Sequence, residues 1–267
     1  MLGAVIGDIV GSVYEWHNIK SKAFPLFNSK SHFTDDTVMT VAVADALLKG
    51  GSARDMVNSM KLFGRMFPRA GYGGRFKHWL FSENREPYNS WGNGSAMRVS
   101  PVGWWRRLKT LEEVEACAAV TAAVTHNHPE AVAGAQAVTA AIFLARRLEP
   151  KQGIRAYIEQ RFNYDLSPTL DSIRPWYMFD VSCRGTVPPA VIAFLESTDF
   201  EDALRNAVSI GGDSDTLAAI TGSIAEAAYG IPDAIRRQVF VRLAPPLVDV
   251  LEKWAADGAV PAEGQPG

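Results

Sequence analysis

Cysteine and long hydrophobic runs are both scarce in this chain. Its two cysteines, Cys117 and Cys183, lie outside any CxxC pair. This excludes a disulfide framework and disfavours a thiolate metal site, as expected for a reducing compartment. No window reaches the roughly 18 apolar residues that a membrane span needs, and Asp8 and Glu15 interrupt the N-terminal apolar segment, which has no basic region. We therefore expect a cytoplasmic protein with no membrane partner.

An excess of charge of one sign is also lacking. The chain has 27 basic and 29 acidic side chains, a formal net charge of -2, and its basic residues are dispersed. Nucleic acid is therefore not indicated as a partner. With 47% hydrophobic residues among 267, the chain is long and apolar enough to bury one sizeable core, so we expect a single domain that acts as a monomer.

Apolar residues recur at helical rather than alternating spacing through most of the chain. Besides an N-terminal segment, the predicted helices cover about 35–49, 53–66, 110–124, 129–147, 151–163, 187–197, 200–209, 215–229, 232–242 and 245–256. No strand, internal repeat or linker interrupts the pattern, which predicts an all-α single-domain fold over residues 1–257. Residues 258–267 offer little to bury and are expected to form a disordered tail. The irregular region 68–95 is expected to bind a ligand.

Two acidic clusters open helical segments far apart in the chain. Their sequences are TDDT at 34–37 and GGDSDT at 211–216. The oxygen-bearing candidates are Thr34, Asp35, Asp36, Asp213, Asp215 and Thr216. Such hard ligands suit Mg²⁺, Ca²⁺ or Mn²⁺ rather than structural zinc, and divalent cations would relieve the repulsion between converging carboxylates. Each cluster is also compatible with an ordinary helix N-cap, and sequence spacing leaves both readings open.

The loop 89–95, NSWGNGS, has features that suit a diphosphate. Its glycines permit close approach of backbone N–H groups, and Trp91 offers a flat surface for an adenine. The alternative is a turn with Trp91 in the core. Arg98 is expected to serve in a structural ion pair, with phosphate as the alternative partner. The segment 176–183 offers a second aromatic wall as an alternative, but Trp176 and Phe179 are expected in the core. Cys183 lacks a histidine activation motif and is not expected to be a nucleophile.

Five segments together resemble a known family. They are GDIVGSVYE at 7–15, TDDT at 34–37, GNGSAMR at 92–98, THNHP at 125–129 and GGDSDT at 211–216. Their order is similar to that in the ADP-ribosylglycohydrolase family, and this chain resembles a compact bacterial-type member. The resemblance implies an all-α fold with a central cleft for two Mg²⁺ or Mn²⁺ ions. The ligands that it implies are Thr34, Asp35, Asp36, Asp213, Asp215 and Thr216.

The resemblance also implies where an ADP-ribose moiety binds. It places Ser90, Gly94 and Ser95 near phosphate, Asn93 near ribose, Trp91 against the base and His128 in contact with the nucleotide. His126 is then expected to lie behind the site or at a helix start. Glu15 would lie beside the metal cleft on a mobile flap, although a lone Glu is also typical of a solvated surface. Asp8 is expected to be structural.

The activity that the resemblance implies is metal-dependent hydrolysis at C1 of the distal ribose, which releases ADP-ribose from a modified protein or other acceptor. Asp35, Asp36 and Glu15 are the candidates for handling the proton. One alternative is a hydrolase of a small adduct such as O-acetyl-ADP-ribose. Another is a catalytically silent ADP-ribose-binding protein. The complete set of acidic ligands favours an enzyme.

Overall fold

The computed structural model describes residues 1–259 and confirms the predicted all-α fold. In this range the chain forms helices around one hydrophobic core, and its only β-pairing is two isolated bridges. The helices are, in chain order, α1 (Leu2–Gly11), α2 (Asp35–Lys49), α3 (Ala53–Met66), α4 (Gly74–Phe81), α5 (Gly94–Met97), α6 (Ser100–Trp104), α7 (Leu111–Ala123), α8 (Pro129–Arg146), α9 (Lys151–Phe162), α10 (Leu170–Ile173), α11 (Cys183–Leu195), α12 (Phe200–Ile210), α13 (Ser214–Tyr229), α14 (Asp233–Phe240) and α15 (Pro245–Lys253), followed by a π-helical turn (Trp254–Gly258). None of these described helices has the length and apolar character needed to cross a bilayer.

Local signals set many of the helix boundaries. Thr34 caps α2 by accepting a hydrogen bond from the Asp36 N–H, and Gly50 ends that helix with a φ of 134°. Ser52 and Thr110 open α3 and α7 with capping boxes. The predicted bounds of α2 and α3 are confirmed, because both ends of each helix carry a signal in the sequence.

Helices α1 and α13 pack with almost no side-chain layer between them. Gly3, Gly7 and Gly11 are spaced one turn apart on α1, and a Cβ on any of them would overlap a carbonyl oxygen of α13. For Gly7 that oxygen belongs to Ala218, and for Gly11 it belongs to Ser214. The end of α1 therefore lies against the start of α13.

Helix α13 is at the centre of the molecule. Helices α8, α11 and α12 pack around it together with α1, and every residue from Ser214 to Ala225 is buried. Most of these residues are small, so that neighbouring helices approach closely. The predicted central helix at 215–229 is thus confirmed, and its first turn is held rigidly in the core.

The region 68–95, expected to be irregular, contains helix α4. No side chain caps its start, which follows Gly73, and its sequence therefore carries no start signal. Phe76, Trp79 and Leu80 are buried at helical spacing. Tertiary packing of these side chains stabilises a helix of 8 residues that would be marginal alone.

Helix α11 begins at Cys183 and not at the predicted position 187, with two prolines inside it. Pro189 has no N–H to donate to the carbonyl of Gly185. The Tyr177 hydroxyl donates to that carbonyl instead, at 3.1 Å. A side chain from outside the helix thus replaces one backbone hydrogen bond, which the sequence alone does not reveal.

The last described residues belong to the folded domain. Gly258 and Ala259 fall in the predicted tail, but Gly258 is buried in the π-helical turn and Ala259 forms a β-bridge with Trp105. The rest of the predicted tail, residues 260–267, lies outside the described residues.

Candidate metal centre and ligand cavity

The first acidic cluster, residues 34–37, is held in place by Asp8 of α1. The buried carboxylate of Asp8 accepts hydrogen bonds from the backbone N–H and the hydroxyl of both Thr34 and Thr37. These donors compensate for the burial of a carboxylate. Asp8 is therefore structural, as expected, and it fixes the start of α2, where the two aspartates of the cluster lie.

The second acidic cluster, residues 211–216, opens α13. Gly211 and Gly212 have φ values of 75° and 72°, in the region that favours glycine, so the chain bends sharply before Asp213. The Asp213 side chain makes no capping hydrogen bond. Its Oδ2 instead accepts from Asn93 Nδ2 at 2.7 Å. Helix capping therefore does not explain Asp213.

The two acidic clusters meet in space. Thr216 Oγ1 lies 3.3 Å from Asp36 Oδ2, although the two residues are 180 positions apart in the chain. Carboxylate oxygens of Glu15, Asp213 and Asp215 all lie within 4.8 Å of one another. Both aspartates of the first cluster line the same cavity as these groups. Acidic groups from three distant segments therefore form one site.

Burial and mutual repulsion raise the pKa of these carboxyl groups. Burial is the largest cause, and the charge of Asp215 adds to it for Asp35 and Asp36. The pKa rises to about 7 for Glu15 and to about 6 for Asp213. It lies well above its usual range for Asp35, Asp36 and Asp215. A compensating positive charge would stabilise the ionised forms.

A divalent cation fits this set of donors. Asp36 Oδ1 is buried and has no hydrogen-bond partner, an arrangement that costs free energy unless a ligand satisfies it. The Thr34 hydroxyl donates to Asp8 and accepts from the Asp36 N–H, which leaves it one acceptor site. Carboxylate and hydroxyl oxygens are ligands that Mg²⁺ and Mn²⁺ prefer.

We expect Mg²⁺ or Mn²⁺ to raise the melting temperature of chelator-treated protein. At a concentration 100 times the dissociation constant, binding stabilises the folded state by about 2.7 kcal/mol, which corresponds to a shift of about 5–10 °C for a domain of this size. Differential scanning fluorimetry measures the shift, with sodium chloride at matched ionic strength as the control. An equal shift in sodium chloride would contradict a specific site.

A cavity of about 430 Å³ opens beside the acidic groups, a volume typical of a small-molecule site. Of the loop predicted to bind phosphate, Ser90, Trp91, Asn93 and Gly94 line it. Ser95 does not, because it is buried and its hydroxyl donates to the Ala131 carbonyl at 2.8 Å. Further lining residues, which no sequence motif marked, are Arg75, Phe76 and Tyr88.

Exposed aromatic side chains surround the mouth of the cavity. Trp91 is 46% exposed and lines the cavity, so it is not a core residue. Trp176 and Phe179, both expected in the core, are 66% and 43% exposed. That expectation was wrong because apolar character does not determine which side of a loop faces inward. Phe179 lines the cavity and stacks on Trp16, with ring centroids 5.3 Å apart.

The hydrogen bonds around His126 favour one tautomer. Arg98 Nη2 donates to Thr125 Oγ1 at 2.8 Å, and this oxygen lies 2.7 Å from His126 Nδ1. A guanidinium only donates, so the hydroxyl oxygen accepts from Arg98, and its own hydrogen finds an acceptor when it is donated to Nδ1. Burial, with the charges of Arg98 and Arg75, lowers the pKa of His126 well below its usual value. The neutral ring therefore carries its hydrogen on Nε2, which lies 3.1 Å from where a Cβ on Gly94 would be.

The two histidines of the 125–129 motif have different positions. His126 is buried and lines the cavity. His128, the predicted nucleotide contact, caps α8 by accepting from the Glu130 N–H at 3.2 Å and is not among the lining residues. The structure therefore places His126, rather than His128, against the cavity. An H-x-H pair gives no sequence signal that tells the two apart.

Arg98 is a buried cation on the cavity wall. It was expected in a structural ion pair, but no carboxylate within residues 1–259 pairs with it, and it donates to the Thr121 carbonyl and the Thr125 hydroxyl. Its Nε has no partner. Burial lowers its pKa to about 10, so it remains charged at neutral pH. The same cavity thus offers oxygen ligands for a cation and nitrogen donors for an anion.

Comparisons with known proteins agree with this geometry. The family model described as ADP-ribosylglycohydrolase matches residues 1–265. ADP-ribosylhydrolase ARH3 of Mus musculus is 26% identical over an alignment of 311 residues. The alignment includes 86% of this chain and 83% of that protein. ADP-ribosylarginine hydrolase Tri1 of Pseudomonas putida is 28% identical over 274 residues, which cover 86% and 70% of the two chains.

The fold also matches a solved structure. It is described as an ADP-ribosylglycohydrolase-related protein complex, and the match has a TM-score of 0.70 and 25% identity and covers 93% of each chain. The sequence match therefore extends over almost the whole chain, and the all-α architecture is shared. Together with the joined acidic clusters, these matches show that the chain belongs to the ADP-ribosylglycohydrolase family of enzymes.

Proposed function

We propose that this protein hydrolyses the bond between C1 of the distal ribose of an ADP-ribosyl group and its acceptor, with two Mg²⁺ or Mn²⁺ ions as cofactors. The observation that carries the proposal is the contact of Thr216 with Asp36, which joins the two acidic clusters. The names of the similar proteins support hydrolysis of an ADP-ribosyl linkage. We also propose that the protein acts as a monomer, because a single chain supplies both acidic clusters and Glu15.

The residues that would hold the ions come from both clusters. They are Thr34, Asp35, Asp36, Asp213, Asp215 and Thr216. When bound, divalent ions supply stabilisation for negative charge on oxygen and fix the orientation of the ribose hydroxyls. The helix starts contribute as well, because the N-terminal ends of α2 and α13 carry the positive end of the helix dipole and orient the side chains of their first turns.

Hydrolysis adds a water oxygen to C1, breaks the bond from C1 to the acceptor and moves a proton from the water to the acceptor. Among the candidates Asp35, Asp36 and Glu15, we assign the proton transfer to Glu15. It is half-buried, and its carboxylate lies within 4.8 Å of that of Asp215. Asp36, in contrast, is buried and accepts from Thr216. A carboxylate that reaches both the site and solvent can accept and return a proton.

The rest of the cavity suits the diphosphate and the base. His126 donates from Nε2 beside Gly94, and glycine there leaves room for a phosphate oxygen. Arg98 adds a buried positive charge that no carboxylate within residues 1–259 neutralises. Trp91 presents an exposed indole face for the adenine. We propose that these groups hold the ADP part while the acidic groups hold the distal ribose.

Replacing Trp91 with alanine is expected to weaken ADP-ribose binding by about 5- to 150-fold, because stacking of one base contributes about 1–3 kcal/mol. Isothermal titration calorimetry measures the dissociation constant. Trp176→Ala is the matched control, since Trp176 is also exposed but does not line the cavity. Equal affinity in Trp91→Ala and the wild type would contradict the stacking assignment.

A panel of defined substrates tests the proposed reaction. It contains ADP-ribosyl-arginine and ADP-ribosyl-serine peptides, ADP-ribosylated nucleic acid and O-acetyl-ADP-ribose, each assayed for release of ADP-ribose with Mg²⁺, Mn²⁺ or EDTA. We expect release from at least one substrate with a metal ion and none with EDTA. The substrate that reacts identifies the acceptor class.

Other outcomes of the panel select other functions. Release only from O-acetyl-ADP-ribose would identify a hydrolase of small adducts. Binding of ADP-ribose without release from any substrate would identify a catalytically silent binding protein. Release that continues at full rate in EDTA would contradict the role of the metal ions.

A further inference from the structure

Glu15 lies in a loop, and a loop residue needs specific contacts to hold a defined position. Residues 12–22 follow the end of α1 and belong to no helix. Within this loop the Glu15 carboxylate nevertheless reaches the second acidic cluster, within 4.8 Å of the carboxylates of Asp213 and Asp215. The contacts that hold the loop there must come from its neighbours in the sequence.

Asn18 supplies the most direct of these contacts. Its Nδ2 lies 2.8 Å from the carbonyl oxygens of Tyr14 and Glu15 and 3.0 Å from that of Gly212, so its two hydrogens serve three acceptors, with one hydrogen shared. Its Oδ1 accepts from the Gly212 N–H at 2.8 Å. One amide thus binds the backbone of Glu15 and both polar groups of the glycine that precedes Asp213.

The orientation of this amide is determined by its partners. Three carbonyls face Nδ2 and one N–H faces Oδ1, so rotating the amide by 180° would break every one of these bonds. Asn18 is exposed and does not line the cavity. Any effect of Asn18 on the reaction must therefore pass through Glu15 or the Gly211–Gly212 turn.

Two further residues support the same position of the loop. Lys20 Nζ donates to the carbonyls of Ile210 and Tyr177. The Trp16 ring stacks on Phe179 at the cavity mouth. These contacts tie the loop to its surroundings, but among them only Asn18 joins Glu15 directly to the turn that carries the second cluster.

From this geometry we propose that Asn18 is a positioning residue, whose side-chain amide fixes Glu15 against the second acidic cluster. The inference rests on the proposed function, which assigns the proton transfer to Glu15. The ADP part of the substrate binds on walls that Asn18 does not contact. Loss of the amide therefore lowers turnover and leaves nucleotide affinity unchanged.

The test compares wild type, Asn18→Ala, Glu15→Gln and the double variant on a substrate that the panel identifies, with Mg²⁺ or Mn²⁺ at saturation. We expect Asn18→Ala to lower kcat by about 10- to 100-fold, as for other residues that orient a catalytic group. KM and the dissociation constant of ADP-ribose stay within about twofold. In the Glu15→Gln background, Asn18→Ala lowers kcat by no more than about twofold, because both changes remove one function. His17→Ala, the exposed neighbour, is the matched control and keeps the wild-type kcat.

Hydrogen exchange provides a readout that does not depend on turnover. In Asn18→Ala, amide exchange is expected to rise in peptides that cover residues 12–18 and to stay unchanged over 90–98. A wild-type kcat in Asn18→Ala, or an equal loss of kcat in the Glu15→Gln background, would overturn the inference. If the wild type releases ADP-ribose from no substrate, the proposed function fails, and unchanged exchange over 12–18 would then show independently that Asn18 does not hold the loop.

Discussion

Asp36→Asn is expected to abolish turnover while it stabilises the metal-free protein. Asparagine keeps the shape of the side chain and removes its charge, so a ligand from the first acidic cluster is lost and the repulsion from Asp215 is relieved. We expect turnover to fall by at least about 100-fold, since a direct ligand matters at least as much as the groups that orient it. In EDTA the melting temperature should rise, by about 2–4 °C for each kcal/mol of repulsion removed.

The prediction is specific because turnover is expected to fall while the melting temperature of the metal-free protein rises. A mutation that merely damages the fold lowers both activity and stability, whereas Asp36→Asn is expected to separate them. Turnover of the panel substrates and thermal unfolding in EDTA measure the two quantities. Asp249→Asn, the same change at an exposed position outside the cavity, is the control and should leave both unchanged. Near-normal turnover of Asp36→Asn in metal-containing buffer would contradict the assignment of Asp36 as a ligand.

Gly7→Ala is expected to destabilise the protein by about 3 kcal/mol or more, at the upper end of what overpacking usually costs. The added Cβ would overlap the Ala218 carbonyl oxygen, and a backbone atom in the middle of a buried helix cannot move aside as a side chain can. The melting temperature should fall by about 6–12 °C. Turnover of the remaining folded protein should fall too, because α1 carries Asp8, which holds the first acidic cluster.

The matched control for Gly7→Ala is Gly153→Ala. At Gly153 the nearest atoms to an added Cβ belong to the end of the Glu149 side chain, which is free to turn away, and alanine favours a helix. We expect a change of less than about 1 kcal/mol there. Chemical denaturation measures both variants. Equal stability of Gly7→Ala and the wild type would show that α1 can move away from α13 without a change in the free energy of unfolding.

The sequence was informative wherever a local signal has a fixed structural meaning. Thr34 and Gly50 mark the two ends of α2, and Asp199 marks the start of α12 with a side-chain cap to Asp202. The acidic clusters were recognisable as candidate ligands because residue type determines which ions they suit, and the family resemblance implied that they form one site. Their meeting in space was not deducible from spacing. It depends on the close packing of α1 on α13, which no local pattern encodes.

Where the role of a residue was predicted incorrectly from the sequence, its burial and its tertiary contacts determine that role. His126 is buried against the Thr125 hydroxyl, whereas His128 accepts a hydrogen bond from the Glu130 N–H. Arg98 contacts the Thr125 hydroxyl and the Phe76 ring, which come together only in the folded chain. Trp176 lies in an apolar segment, but the conformation of the loop turns its side chain toward solvent. In each case the residue type predicts several roles, and the contacts select one.

The packing of α1 on α13 has a consequence for how the protein is made. Residues 12–213 separate the two helices in the chain, so the glycine face of α1 has no partner until residues 214–229 have been synthesised. At ordinary rates of translation this takes about 10 to 40 s after α1 emerges. Asp8 and the first acidic cluster therefore remain without their counterpart during most of synthesis. The nascent chain becomes able to form the site only when residues 211–216 have been synthesised, so the two acidic clusters come together late in folding.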